Sequence, residues 1–295
     1  MSMLALQGAI ELGLIYALVA LGLFVSYRVL DIPDLTVDGS FTLGAAVCAV
    51  LTMKGHPYLG LLFAVAAGWI AGMVTAFLQT KMRVSPILAG ILSMTALYSI
   101  NLCVMGGAPT IALLGMPGIF TLSQAAYYKA AVLLGTVIVV CAFLIVFFRT
   151  STGLCIRATG DNADMVRSSS INTDRMKFIG LGLANALVGL SGALIAQYQS
   201  FADTSTGVGM VVIGLASLIV GEVVFGRLNV WRNILAVVLG AVLYRVIIAF
   251  VLARGMNPLF LKLISAVLVT VAICYPAVIE QFKLRKLMKE AAKNA

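Results

Sequence analysis

Charge is what this sequence has least of: only 11% of its 295 residues are Asp, Glu, Lys or Arg, against 62% that are hydrophobic. A water-soluble domain has no use for that much apolar surface, so the chain must be solvated by lipid. Histidine is nearly absent. The single one, His56, stands beside Pro57 in a polar turn, and no HExxH, GxSxG or paired carboxylates on a regular helix occur, which removes the usual bases for enzymatic chemistry. No glycine is followed by lysine, so the backbone cradle and phosphate-reaching lysine of a P-loop are missing. If ATP drives this protein, another chain binds it. The five cysteines, Cys48, Cys103, Cys141, Cys155 and Cys274, have no CxxC spacing and mostly sit in apolar runs, which argues against a disulfide framework or a zinc site.

What is present is a succession of long apolar runs with a mean hydropathy of +1.09. Residues 4–27, 58–80, 130–148 and 233–252 each approach the ~20 residues a helix needs to cross ~30 Å of hydrocarbon. Further spans fall at about 35–53, 86–105, 178–199, 207–225 and 259–279. The expected fold is therefore an all-α polytopic membrane protein of about eight to nine transmembrane helices, with residues 1–280 as one transmembrane domain and 281–295 as a basic tail. The first run lacks a basic n-region, carries Glu11 and is too long for a secretory h-region, so it is a retained span.

Nine crossings put the termini on opposite faces. One face then collects Arg28, Lys81, Arg83, Arg149, Arg157, Arg167, Arg175, Lys177, Arg227, Arg232, Lys283, Arg285, Lys286, Lys289 and Lys293. The other keeps Lys54, Lys129, Arg254 and Lys262, while Arg245 lies within a span. This bias puts the N-terminus outside and the C-terminus in the cytoplasm. It also accounts for the net charge of +9 through anionic lipid headgroups, with no call for nucleic acid.

Three segments break the apolar pattern. RVLDIPDLTVDGS, residues 28–40, holds Pro33, Gly39 and the aspartates 31, 34 and 38 at a membrane entry, which reads as a broken helix. Asp31, Asp34, Thr36, Asp38 and Ser40, with Ser93 on a later span, are the candidate lining of a polar solute pathway; Asp34 could also cap the half-helix that follows it. QYQSFADTSTGVG, residues 197–209, is too polar and Gly-rich for lipid contact, so the run after it is a span or partly re-entrant. The longest polar segment is RTSTGLCIRATGDNADMVRSSSINTDRMK, residues 149–177. Gly153 and Gly160 punctuate it, Asp161 or Asn162 can cap a short helix over 163–169 that projects Met165 and Val166, and Asn172 or Thr173 can cap the next span. Such a helix suits the groove of a soluble partner, although a passive connector has the same composition. GLGLANALVGLSGA, residues 180–193, spaces small residues for close helix packing. Glu222 beside Arg227, and Arg245, read as structural or snorkelling groups.

The order of these segments resembles the branched-chain amino acid and ribose permease family of ABC importers. GLCIRATGDNADMVRSSSINTDRMKFIGLGLANALVGLSGALIAQY is similar to its coupling segment, with Gly153, Arg157, Ala158, Asp161, Asn162, Ile171, Asn172 and Arg175 matching in kind and Ser170 in place of the usual Gly. LDIPDLTVDGSFTLGA, VSPILAGI and ADTSTGVGMVVIGLASLIVGEVVFGR agree in position, from about residue 5 to 280.

The resemblance implies a non-catalytic permease of a bacterial inner membrane, coupled by alternating access to a separate ATPase that holds ATP and Mg. That ATPase would dock at Arg157, Gly160, Asp161, Asn162, Met165, Val166 and Arg167. It also implies an extracytoplasmic solute-binding protein and a homodimer or a heterodimer with a second permease, with no cofactor bound by this chain. The acidic LDIPDLTVDGS looks closest to amino-acid permeases, aromatic ones included. Nucleoside or sugar substrates, an ion-coupled secondary transporter and an intramembrane enzyme are the alternatives.

Overall fold

The computed structural model describes residues 3–121, 127–226 and 229–255, together with positions 260, 263, 266, 267 and 270. The expected span at 259–279 and the basic tail at 281–295 lie outside these residues, apart from those isolated positions. Among the described residues, seven helices are long and apolar enough to cross a membrane.

The chain opens with α1 (Met3–Leu23), which widens into a π-helical end, Phe24–Val29. There the amides of Leu30 and Ile32 reach back to the carbonyls of Val25 and Ser26. Residues 30–35 are not helical, and α2 (Thr36–Met53) follows. Next come α3 (Pro57–Thr80) and α4 (Pro86–Val104), each with its proline at the start, where the missing N–H costs nothing. Strand β1 (Thr110–Ala112) precedes α5 (Tyr128–Phe147). The polar segment then forms two helices, α6 (Ser151–Asp161) and α7 (Ala163–Ser168), before α8 (Thr173–Gln199). Strand β2 (Phe201–Asp203), α9 (Met210–Phe225) and α10 (Val230–Ala253) complete the described elements. β1 and β2 form an antiparallel ribbon with Ile111 opposite Ala202.

The seven candidate spans among the described residues begin and end within a few residues of where the apolar runs place them, and the run at 207–225 appears as the shorter α9. Two features of the sequence reading change. Residues 151–161, read as part of a loop, form a helix whose Thr150 hydroxyl caps the Gly153 amide. The break near Pro33 separates two complete helices, α1 and α2.

Helix α8 is the hub. Its small residues let α2 and α3 approach backbone to backbone: a Cβ on Gly44 would collide with the Gly189 carbonyl, and one on Gly72 with that of Leu181. Parallel α2 and antiparallel α3 therefore flank it at the closeness that small-residue packing allows. On its far side α1 runs antiparallel, tied by the Ser191 hydroxyl to the Ile15 carbonyl at 2.7 Å. The main apolar core fills the space among α1, α5, α8, α9 and α10, with Phe24, Leu133, Leu144 and Ile234 at its centre.

Candidate functional site

The polar residues of the sequence reading fall into three places. The first is a buried seam between α2, α3, α4 and α8. The Asp34 carboxylate accepts the Thr36 amide at 2.9 Å through Oδ1 and the Asn185 side-chain amide at 2.7 Å through Oδ2. Asn185 also donates to the Leu181 carbonyl at 3.0 Å and accepts the Ser40 hydroxyl at 2.7 Å. Beside them the Thr36 and Thr75 hydroxyls share a 2.8 Å bond, and Thr75 donates to Ser93 at 2.8 Å. Four expected pathway residues, Asp34, Thr36, Ser40 and Ser93, thus meet in one network, all of them buried. Asn185 and Thr75 complete it and were missed. Asn185 stands alone as an amide in a run of small residues, the one signal that could have marked it.

Asp31 and Asp38 lie apart from the seam. Asp31 is exposed, with a left-handed φ of 55°, at the turn where the chain leaves α1. Asp38 reaches across to α9: its Oδ2 accepts the Gly209 amide at 2.9 Å and its Oδ1 the Val211 amide at 2.8 Å. These are orphan donors of a helix start, and a carboxylate there is favoured by hydrogen bonding and by the helix dipole. Helix α9 has 16 residues and starts at the depth of Asp38, so the polar stretch before it dips back among the helices. At its other end Glu222 pairs with Arg28 at 2.9 Å. The sequence reading had placed Glu222 beside Arg227, which lies outside the described residues. Arg245 lies over the Tyr16 ring, 5.2 Å from its centroid.

The third place is the α6–α7 pair at the end of the bundle near Arg28. The Asn162 side chain caps α7 by accepting the Met165 amide at 3.0 Å, and Asn172 caps α8 by accepting that of Arg175 at 3.1 Å. Met165 projects, 68% exposed, whereas Val166 is buried against the bundle at 5%, so only one of the two expected knobs points outward. Gly160 packs so close to the Val29 carbonyl that no Cβ fits, which makes it the seat of α6 on α1. Arg157 and Asp161 are exposed. Arg167 turns back, donating from Nε to the Thr173 hydroxyl at 3.0 Å. Ser170, where the resemblance expects Gly, has a left-handed φ of 61°. At the opposite end of the bundle, hydrogen bonds from Ser205 and Thr110 hold the Asp203 carboxyl below its ordinary range.

Comparison with known proteins bears directly on this arrangement. The family described as branched-chain amino acid transport system / permease component matches residues 6–273. The chain belongs to that family. It is therefore a permease component without catalysis of its own, a multi-pass membrane protein of a bacterial ABC importer, and membership implies ATPase and solute-binding partners.

A tyrosine transport system permease protein of Clostridioides difficile is 36% identical over 258 residues, covering 87% of this chain and 86% of that protein. An uncharacterised protein of Rickettsia prowazekii is 34% identical across 90% of this chain and 95% of its own length. A probable branched-chain amino acid permease of Methanocaldococcus jannaschii is 24% identical over 73% of each chain. No solved structure matches.

Proposed function

We propose that this permease imports an amino acid, with aromatic side chains in its range, into the cytoplasm by alternating access. The observation that carries the substrate class is the similarity to a tyrosine permease along nearly the whole chain. In this reading the Arg28, α6 and α7 end is cytoplasmic and the N-terminus outside, in line with the charge bias. A partner ATPase that holds ATP and Mg docks on α7, whose capped start and exposed Met165 suit a groove in a soluble protein. A solute-binding protein delivers substrate at the β-ribbon end, and two copies of the chain form the simplest permease unit.

The buried seam of Asp34, Thr36, Ser40 and Ser93 contributes polar groups where α2, α3, α4 and α8 move against one another, and Asp38 carries that movement to α9. The interruption at residues 30–35 is the break that lets α1 and α2 shift separately. Two measurements test this. Proteoliposomes holding the permease and its ATPase should take up labelled tyrosine presented by the cognate binding protein, and uptake confined to sugars or nucleosides would overturn the substrate class. Met165→Glu should abolish solute-stimulated ATP hydrolysis while leaving the permease folded, and unchanged stimulation would remove α7 from the coupling route.

A further inference from the structure

The end of the bundle that bears α6 carries a cleft of about 340 Å³ between the end of α5, the face of α6 and the start of α10. Arg149 and Arg157 stand on its rim with Asn229 and Asn233, and Trp231 closes one side over an apolar floor that includes Phe148. No carboxylate is among the described residues that line it. Neither arginine makes an ion pair or a hydrogen bond to another described residue. Two arginines therefore line one polar-mouthed, apolar-floored cleft, neither of them paired with a carboxylate among the described residues.

We propose that this cleft binds the phosphodiester headgroup of an anionic phospholipid. Guanidinium forks match phosphate oxygens in pairs, and the Asn229 amide adds a neutral donor. The apolar floor suits the glycerol backbone and the first acyl carbons, and a tryptophan half exposed at a helix start is the usual occupant of the headgroup level. Basic clefts between transmembrane helices are recurrent sites for such lipids. The bound lipid bridges α6 and α10 beside the α6–α7 pair. The site is independent of which solute the permease carries.

The test is native mass spectrometry of the full chain with its ATPase, released from micelles doped with phosphatidylglycerol or with phosphatidylcholine. The wild-type protein should retain phosphatidylglycerol about tenfold more than phosphatidylcholine. The double variant Arg149→Gln/Arg157→Gln should lose that preference, while the charge-matched Arg175→Gln/Lys177→Gln keeps it. Millimolar inorganic phosphate should leave retention unchanged. The proposal is overturned if the first pair of substitutions has no effect or the control pair has the same effect. Displacement of the lipid by inorganic phosphate makes it a free-phosphate site instead. Loss of the ATPase with lipid retention intact assigns the arginines to a protein contact. Should the glutamine variant not fold, Arg149→Lys/Arg157→Lys decides by the same ratio, with a drop of about threefold expected because lysine keeps the charge and loses the fork.

Discussion

Removing the Asn185 amide should be among the most destabilising single changes in this permease. In Asn185→Ala three hydrogen bonds disappear: to Asp34, to the Leu181 carbonyl and from Ser40. At the ~0.6 kcal/mol that polar contacts between membrane helices average, the three amount to about 2 kcal/mol. The larger loss is that the Asp34 carboxylate, only 2% exposed, is left with an unmatched oxygen, which adds about 1–3 kcal/mol.

The expected total is about 3–5 kcal/mol, measured as the shift in SDS-induced unfolding of the lipid-micelle protein followed by circular dichroism. The reasoning also fixes a coupling. In Asp34→Ala/Asn185→Ala the stranded carboxyl is gone, so the double variant should be no less stable than Asn185→Ala alone, whereas independent effects would add. A loss below about 1 kcal/mol for Asn185→Ala, or additivity in the cycle, refutes the account of the seam.

Ser170→Gly should stabilise the protein by up to about 1 kcal/mol, because the residue stands at φ 61°, where a Cβ is strained; equal or lower stability in the same assay counts against the strain. The pH dependence of the ribbon follows from Asp203. Its carboxyl is held below the ordinary range, chiefly by Ser205, so its contribution is complete above the unfolded value of ~3.9 and fades as pH falls through the lower folded value. Amides of β1 and β2, corrected for intrinsic exchange, should lose protection in that acid window and keep it in neutral buffer. Asp203→Asn should flatten the dependence.

The spans were legible because lipid imposes a single requirement, length of apolar chain, and the sequence states it directly. The helix ends were legible where capping chemistry is local: Asn162 and Asn172 cap α7 and α8 with side chains three residues from their donors. What failed were readings of glycine and of partners across the fold. Gly153 and Gly160 read in sequence as punctuation, whereas in the fold they seat α6 against the Phe147–Phe148 backbone and the Val29 carbonyl, a helix that local composition does not announce. Val166 follows Met165 by one helical step of ~100°, so a six-residue helix docked on one side cannot project both. The lone amide of Asn185 marks its position but not its purpose, because Asp34 lies in the non-helical stretch 30–35 and Ser40 on α2, both far away in sequence. Glu222 meets Arg28, at the end of α1, a partner far away in sequence, while its sequence neighbour Arg227 lies outside the described residues.

The Arg28–Glu222 pair permits a directional test. A helix C-terminus carries partial negative charge, so a cation near it is favoured and a carboxylate disfavoured. Glu222 lies in the last turn of α9, buried to 8% exposure, and is on the wrong side of that rule; Arg28 offsets it. Arg28→Gln therefore takes the Arg28 cation away from a buried carboxylate at the negative end of a helix, a loss of about 3–5 kcal/mol by analogy with other broken buried pairs. Glu222→Gln leaves a cation there, on a side chain 36% exposed that retains access to water and to the carbonyls of α9, and should cost about 1 kcal/mol or less. The two single variants, compared by SDS unfolding, must be unequal in that order. Equal losses would mean that the pair acts only as a mutual contact, and the reverse order that the field of α9 has no bearing on it.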